Sequence, residues 1–545
     1  MAVLLFTLTM LVLWAISRVF RQMYTRSILE NIPGPPSDSF LNGNMARFFD
    51  RYGWKFVDEL GEKYGSVVKL IGPLGRTILY VFDPKALQYI VVKDQYTYVQ
   101  SGFTADSFHA TIGSTLLSTT GQEHKQQRKI LNPAFSVAHL KQITPIFYRV
   151  VHTLRDAMKK ELEAGSDELN IGNWLHRCAL ELIGQGGLGY SFDPLTEERP
   201  DEYAVALKEF TPALFSLAFP RLIWYKLRPL LELIPTSWQR WAVEHTPSKR
   251  VQHVKNICDT LSRSSNSVLN MKKNALKAGE ESVVKQVGEG KDILSVLLRA
   301  NMEAPDDERI PDSELHSQMS FLVLAATDTT SNSLAQIMEL LALHPEVQEK
   351  LRAEIVQASD KFNGDIPYDQ LMSLPYMDAV CRETLRLQPP FGFMFRETQR
   401  DVIMPLSQPL RGINGDYMSE IPVPKDTTVV VGIRASNRST ELWGPDAKEW
   451  KPERWLSPLP KAVEDAHLPG IYSNQMTFMG GGRACLGFKF SQLETKVVLN
   501  ILLRSFRFSP SKKSGEVFWN LSAIRYPTVG KESSKHELPL RVNAL

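Results

Sequence analysis

Apolar positions recur with helical spacing along most of the chain, broken by a few short β-like runs and preceded by one continuous apolar block. That block, Met1 to Ser17 (MAVLLFTLTMLVLWAIS), carries no charged side chain, and apolar character resumes at Val19 and Phe20. At 1.5 Å per residue, about 20 such residues cover roughly 30 Å of hydrocarbon, with Arg18 snorkelling to the interface. Residues 1–20 thus predict a single transmembrane anchor. A cleaved signal peptide fits less well, because Arg18, Arg21 and Arg26 follow the apolar run instead of preceding it. The same charges predict a body on the cytosolic side. Residues 21–36 read as a basic, proline-rich linker ending in Ile32-Pro33-Gly34-Pro35-Pro36, where fixed φ angles and missing amide donors keep the chain stiff and extended. Residues 37–545 read as one predominantly helical domain with small β-sheets.

Within that domain the runs Ser66–Ile71, Thr77–Phe82 and Thr427–Val431 predict short strands. The longest helical pattern extends from Asp312 or Ser313 to His344-Pro345, about 31 residues or roughly 45 Å. Its middle, Met319 to Ala326, is apolar nearly all round, which predicts a helix crossing the interior. Thr327, Asp328, Thr329 and Thr330 follow directly and bring polar groups that need partners when buried. They mark either a site or a solvent-facing turn. The Thr329 hydroxyl can return to the Ala325 carbonyl and bend the helix. Ser264 to Lys291 is polar and predicts a solvated helix and loop. Phe210 to Leu233 forms either a lid dipping into a bilayer or a buried helix pair.

The formal charge of +3 and the absence of a Lys/Arg block argue against nucleic acid as a partner. Four dispersed cysteines, Cys178, Cys258, Cys381 and Cys485, exclude a zinc ribbon or a dense disulfide framework. Gly184-Gln185-Gly186-Gly187-Leu188-Gly189 spells G-x-G-x-x-G, but the preceding residues read as helix and not strand, so no dinucleotide site is expected there.

Chemistry concentrates in Phe478-Met479-Gly480-Gly481-Gly482-Arg483-Ala484-Cys485-Leu486-Gly487, just before a helical pattern. Glycines allow close backbone approach to a flat partner, and both the helix N-terminus and Arg483 favour a Cys485 thiolate able to bind metal. A buried structural cysteine is the alternative for Cys485 taken alone.

This segment matches F-x-x-G-x-R-x-C-x-G at every specified position and resembles the cytochrome P450 family of haem-thiolate monooxygenases, its fungal microsomal members in particular. Glu383-Thr384-Leu385-Arg386 with Pro452-Glu453-Arg454-Trp455 resembles the family's Glu-Arg-Arg cluster, and Ala325 to Thr330 its distal-helix motif, with Ala326 replacing the usual glycine. His124-Lys125-Gln126-Gln127-Arg128 stands where the family commonly has W-x-x-x-R, with His124 in the tryptophan's place.

The resemblance implies a mainly α P450 fold with haem b (iron protoporphyrin IX) between the long helix and the cysteine loop. Cys485 is then the axial iron ligand and Phe478 packs beside the macrocycle. Arg483, Arg396, His124 and Arg128 are propionate contacts, while Asp328 and Thr329 manage protons on the distal side. It implies insertion of one oxygen atom of O2 into a hydrophobic small molecule, such as a terpenoid or other secondary metabolite. Electrons would come from a separate NADPH-cytochrome P450 reductase on the endoplasmic reticulum membrane, with Lys125, Lys129 and Lys489 as candidate docking residues. The apolar lining expected over the haem comprises Phe103, Phe108, Phe321, Leu322, Phe391, Phe393, Met394 and Leu521 to Ile524. A haem-thiolate isomerase or dehydratase and a non-catalytic membrane haem-binding protein are the competing readings.

Overall fold

The computed structural model describes residues 28–193, 195–196, 202–279, 281–282, 286–306 and 309–545. The anchor expected over residues 1–20 lies outside the described residues. Among those described, no helix is long and apolar enough to cross a membrane.

The elements that build the central cavity are, in chain order, α1 (Trp54–Tyr64), β1 (Val67–Ile71), β2 (Thr77–Val81), β3 (Tyr98–Gln100), α2 (Gly102–Ile112), α3 (Gly121–Leu131), α4 (Val137–Glu163), α5 (Ile171–Leu182), α6 (Glu202–Ser216), α7 (Ala218–Leu231), α8 (Lys249–Ala278), α9 (Asp312–Leu343), α10 (Pro375–Leu387), β4 (Met394–Thr398), β5 (Thr428–Val431) and α11 (Phe488–Ser505). The three strands expected from sequence form, each within a residue or two of its expected ends.

Helix α9 runs unbroken for 32 residues and is buried on nearly every side. Met319 and Val323 are fully enclosed, as an all-round apolar segment demands. It packs against α5, α8, α10 and α11 and forms the axis of the helical half. Helix α4 packs along α11, with the Phe147 and Phe490 rings edge to face at 5.0 Å.

The second half is a five-stranded sheet in the order β1-β2-β5-β4-β3. β1 and β2 pair antiparallel, β2 and β5 parallel, and β4 lies antiparallel to both β5 and β3. This register sets Gln100 of β3 opposite Arg396 of β4. Leu79, Val429 and Val431 on one face of the sheet and Tyr80 and Val430 on the other are fully buried, so these strands are covered on both faces.

The polar stretch Ser264 to Lys291 corrects a sequence expectation. It is not merely a solvated helix and loop, since Ser265, Val268, Leu269 and Lys272 of α8 are buried. The Lys272 ammonium sits 2.7 Å from Asp292, and both are enclosed. A buried ammonium requires such a partner. The G-x-G-x-x-G run forms a π-helical turn directly after α5, with no strand before it, so the dinucleotide reading fails on geometry as it does on pattern.

Candidate active site

The Glu383-Arg386 pair fixes the base of the site. Arg386 donates to both carboxylate oxygens of Glu383 at 2.8 Å, and both side chains are fully buried. Glu383 also accepts from Arg454, from the Trp455 indole and from the Lys451 amide. Arg386 spends its remaining donors on the Asn437 and Ala447 carbonyls. Every group is satisfied, so the cluster ties α10 to the Pro452–Leu456 turn as structure and not as chemistry.

The cysteine loop follows. The Cys485 amide donates to the Phe478 carbonyl at 2.9 Å, closing the loop, and α11 begins three residues later, with the Ser491 amide on the Gly487 carbonyl at 2.8 Å. Met479 at φ +55° and Gly481 at φ +62° turn the chain. The glycines also answer close neighbours in the protein itself. A Cβ on Gly480 would enter the Pro469 carbonyl, one on Gly481 the Val91 carbonyl, and one on Gly482 would lie 2.6 Å from the Gln95 amide oxygen. They seat the loop against neighbouring protein.

Between this loop and α9 lies a cavity of two adjoining lobes, each about 220 Å³, that share Ala325, Thr329, Met394, Phe478 and Cys485 among their walls. Cys485 is accessible, and its accessible surface opens into this enclosed cavity. Burial pushes its thiol up to about 11, opposed by the Gly487 amide and the charge of Arg128. Arg128, not Arg483 as the sequence suggested, is therefore the cation that favours the thiolate. Arg483 instead donates to the Leu116 and Thr119 carbonyls.

Phe478 packs edge to face with Phe488 at 4.8 Å and Tyr472 at 5.6 Å, and lines both lobes. His124, Arg128, Arg396 and Arg483 converge on one lobe. Arg128 donates to the Ala484 carbonyl at 2.6 Å, and Arg396 to Gln100 at 3.1 Å across the β3–β4 ladder. Burial lowers all three arginines, and the charge of Arg128 lowers Arg483 further, as that of Arg483 lowers Arg396. Burial and the charges of Arg483 and Arg128 hold His124 neutral, down to about 3.

Among the described residues no Asp or Glu lines either lobe. Three partly desolvated guanidiniums without an acidic neighbour form a receptor for a dianionic ligand. Apolar walls and the accessible Cys485 sulfur complete it. The donor set fits a flat, mostly apolar metal macrocycle bearing two carboxylates.

On α9 the Thr329 hydroxyl donates to the Ala325 carbonyl at 2.7 Å, as its sequence position suggests, and Thr329 lines both lobes. Asp328 is not among the lining residues. Its carboxylate faces α5, with Oδ1 3.5 Å from Nδ1 of His176. Burial raises its acid to about 7, against the charge of Lys208. The α9 motif therefore splits, one side chain toward the cavity and its neighbour away from it.

A model of the family described as "Cytochrome P450" matches residues 33–524. The chain belongs to the cytochrome P450 family. It is 50% identical to "Cytochrome P450 monooxygenase 91" of Postia placenta (strain ATCC 44394 / Madison 698-R) over 99% of this chain and 98% of that one. It is 47% identical to "Cytochrome P450 monooxygenase 219" of the same fungus over 97% and 96%. It is 46% identical to "Ganoderic acid synthetase CYP5150L8" of Ganoderma lucidum, also over 97% and 96%. The protein is thus a P450 monooxygenase with the family's mainly helical fold and its cysteine-ligated haem.

Of the apolar lining expected from sequence, Phe321, Leu322, Phe391 and Met394 do face the cavity. The others do not. Phe393 packs 4.7 Å from Phe48, and Leu521 joins the same cluster beneath the sheet. Phe108 meets Phe210, and Phe103 meets Tyr225 and the guanidinium of Arg221. Gln100 and His176, both in contact with predicted site residues, carry no local sequence signal. Each becomes visible only when strands and helices distant in sequence are brought together.

Proposed function

We propose that Cys485 is the iron ligand of this P450, that Arg128, Arg396 and Arg483 with neutral His124 hold the haem carboxylates, and that Thr329 and Asp328 manage protons on the opposite face. The carrying observation is the Cys485 sulfur facing, across one apolar cavity, the turn of α9 that bears Thr329. When bound, haem supplies the binding and reductive activation of O2, and a thiolate ligand favours cleavage of the O–O bond. The chain does the rest. Cys485 must lose its proton on ligation, helped by the Gly487 amide and Arg128. Thr329, its hydrogen committed to Ala325, keeps lone pairs that accept from a water or hydroxyl in the cavity. Asp328 retains a transferable proton near neutrality.

The substrate is a lipophilic small molecule, because Phe321, Leu322, Phe391 and Met394 offer no charge. The Ganoderma relative is named for making ganoderic acid, which favours a secondary metabolite, and we take a terpenoid as the leading class. Electrons come from NADPH-cytochrome P450 reductase. Exposed Lys125, Lys129 and Lys489 lie on the cysteine-loop side, where such a partner would dock. Residues 1–20 anchor the protein to the endoplasmic reticulum membrane, residues 21–36 link the anchor to the catalytic unit at 37–545, and that unit faces the cytosol. Within Phe210 to Leu233, Leu230 and Leu233 at the end of α7 are 54% and 80% exposed and favour a bilayer-dipping role for that end, while Phe210 and Leu214 of α6 are buried.

The test is the reduced, CO-bound spectrum of the full chain and of Cys485→Ala. A thiolate-type band in the wild type that disappears in the variant is expected; its persistence would refute the ligand. Expression with a reductase and mass-spectrometric screening of lipophilic metabolites for one added oxygen then tests the reaction.

A further inference from the structure

Asp328 lies on the side of α9 turned away from the cavity. Successive helical residues are set about 100° apart, so Thr329 opens to the cavity while Asp328 turns to His176 on α5. The two side chains are only 14% and 15% exposed. Two further titratable groups act on His176: His536, stacked on Tyr526 at 4.1 Å, and Lys208, exposed on α6. Electrostatically, Lys208 acts on Asp328, His176 and His536. His536 and Asp193 also act on His176, and Arg51 on His536. Asp193 is itself held by Arg177 through two hydrogen bonds of 2.6 and 2.8 Å. His176 thus contacts Asp328 on the turn of α9 that carries Thr329, and exposed Lys208 and half-buried His536 both act electrostatically on His176.

We propose that His176 is a positioning residue that acts through Asp328, orienting its carboxyl group and reprotonating it from the solvent side marked by His536 and Lys208. The inference rests on the haem-thiolate reading of the cavity and names the route by which its distal helix is resupplied with protons. In the step, the Asp328 O–H bond breaks as its proton passes to a water on the Thr329 side. The His176 Nδ1–H bond breaks as the carboxylate regains a proton, and Nε2 takes one from a water whose own proton is replaced by bulk solvent on the side of exposed Lys208. One proton crosses and no electron moves. The imidazole ends neutral with its hydrogen on the other nitrogen, and exchange with water restores the first tautomer.

Burial disfavours a standing imidazolium, holding His176 down to about 3, while the Asp328 acid sits at about 7. A neutral ring beside a carboxyl group near half-protonation suits transfer without trapping the charge. The 3.5 Å separation is longer than a formed hydrogen bond and shortens when the proton is shared.

The experiment uses the full-length, haem-loaded protein with reductase in lipid vesicles. Infrared titration follows the protonated carboxyl band that Asp328→Asn removes, in wild type, His176→Phe and His176→Asn. The midpoint should rise by about one pH unit in His176→Phe, which leaves the acid in an apolar pocket, and by less in His176→Asn, which keeps a donor. Product formed per NADPH consumed should fall several-fold in both variants, because asparagine positions the acid but passes no proton. A solvent deuterium effect absent from the wild type should appear in both. His536→Gln should give a smaller loss, and serves as the second variant if His176→Phe does not fold. An unchanged midpoint together with unchanged coupling, in variants that keep the thiolate-type CO band, overturns the relay and leaves the haem reading standing. A wild type without that band overturns the haem reading itself.

Discussion

The Arg128 guanidinium donates to the carbonyl of Ala484 at 2.6 Å, so a residue of α3 grips the backbone immediately before Cys485. One side chain thus sets the height of the sulfur and supplies charge both to it and to the anion-receiving lobe.

Removing that grip should loosen the haem more than the fold. Arg128→Ala gives up a charged hydrogen bond worth about 1.5–3 kcal/mol, which corresponds to roughly ten- to hundredfold weaker haem retention. Arg128→Lys should retain more haem than alanine by keeping the charge. Haem per polypeptide after dialysis against a haem-accepting apoprotein measures both.

Gly480→Ala should prevent the cysteine loop from seating, because the added methyl enters the Pro469 carbonyl, a backbone atom that cannot swing aside. A cost of about 1–3 kcal/mol or more is expected, as for other overpacked sites. Gly515→Ala is the control, since its Cβ would meet only Val529 at an ordinary 3.6 Å. Thermal melting should separate the two.

Glu383→Gln should be among the most damaging single substitutions. It leaves the fully buried Arg386 without its carboxylate and Arg454 with Asp446 alone. Breaking a buried pair on one side costs about 3–5 kcal/mol. Loss of soluble, folded protein on expression, with no thiolate-type band in what remains, is the expected outcome.

Acid sensitivity should carry the signature of the His176, His536 and Asp328 group. Burial lowers the two histidines to about 3 and about 4, so between roughly pH 4 and 6.5 the unfolded chain binds two protons there that the folded chain does not. Asp328, raised to about 7, holds one proton in the folded state that the unfolded chain releases over the same range. The net is one proton in favour of unfolding. These groups together should therefore cost about 1.4 kcal/mol of stability per pH unit as pH falls. Asp328→Asn removes the offset and should double that contribution, and His536→Gln should cancel it. Denaturant midpoints of the three proteins between pH 4.5 and 6.5 give the differences.

Local spacing made much of this molecule legible. The apolar run Met319 to Ala326 specified a buried helix because no face of it is polar. Glu383 and Arg386, three apart, were placed on one helix face by spacing, and the structure joins them as a bidentate pair. The residues around Cys485 specified a glycine-rich loop before a helix, since each requirement falls within ten positions. What spacing could not supply was direction. Thr329 and Asp328 are neighbours in sequence, yet only the packing of α5 against α9 decides that one faces the cavity and the other His176. Likewise Gln100 meets Arg396 across 296 residues because β3 pairs with β4 in one register, and a slip of one residue would turn Arg396 to the opposite face. Phe321 lines the cavity while Phe393 does not, although both are large, apolar and close to site motifs. Composition and period fix what a segment can bury; the neighbour it buries against is settled only when the whole chain closes on itself.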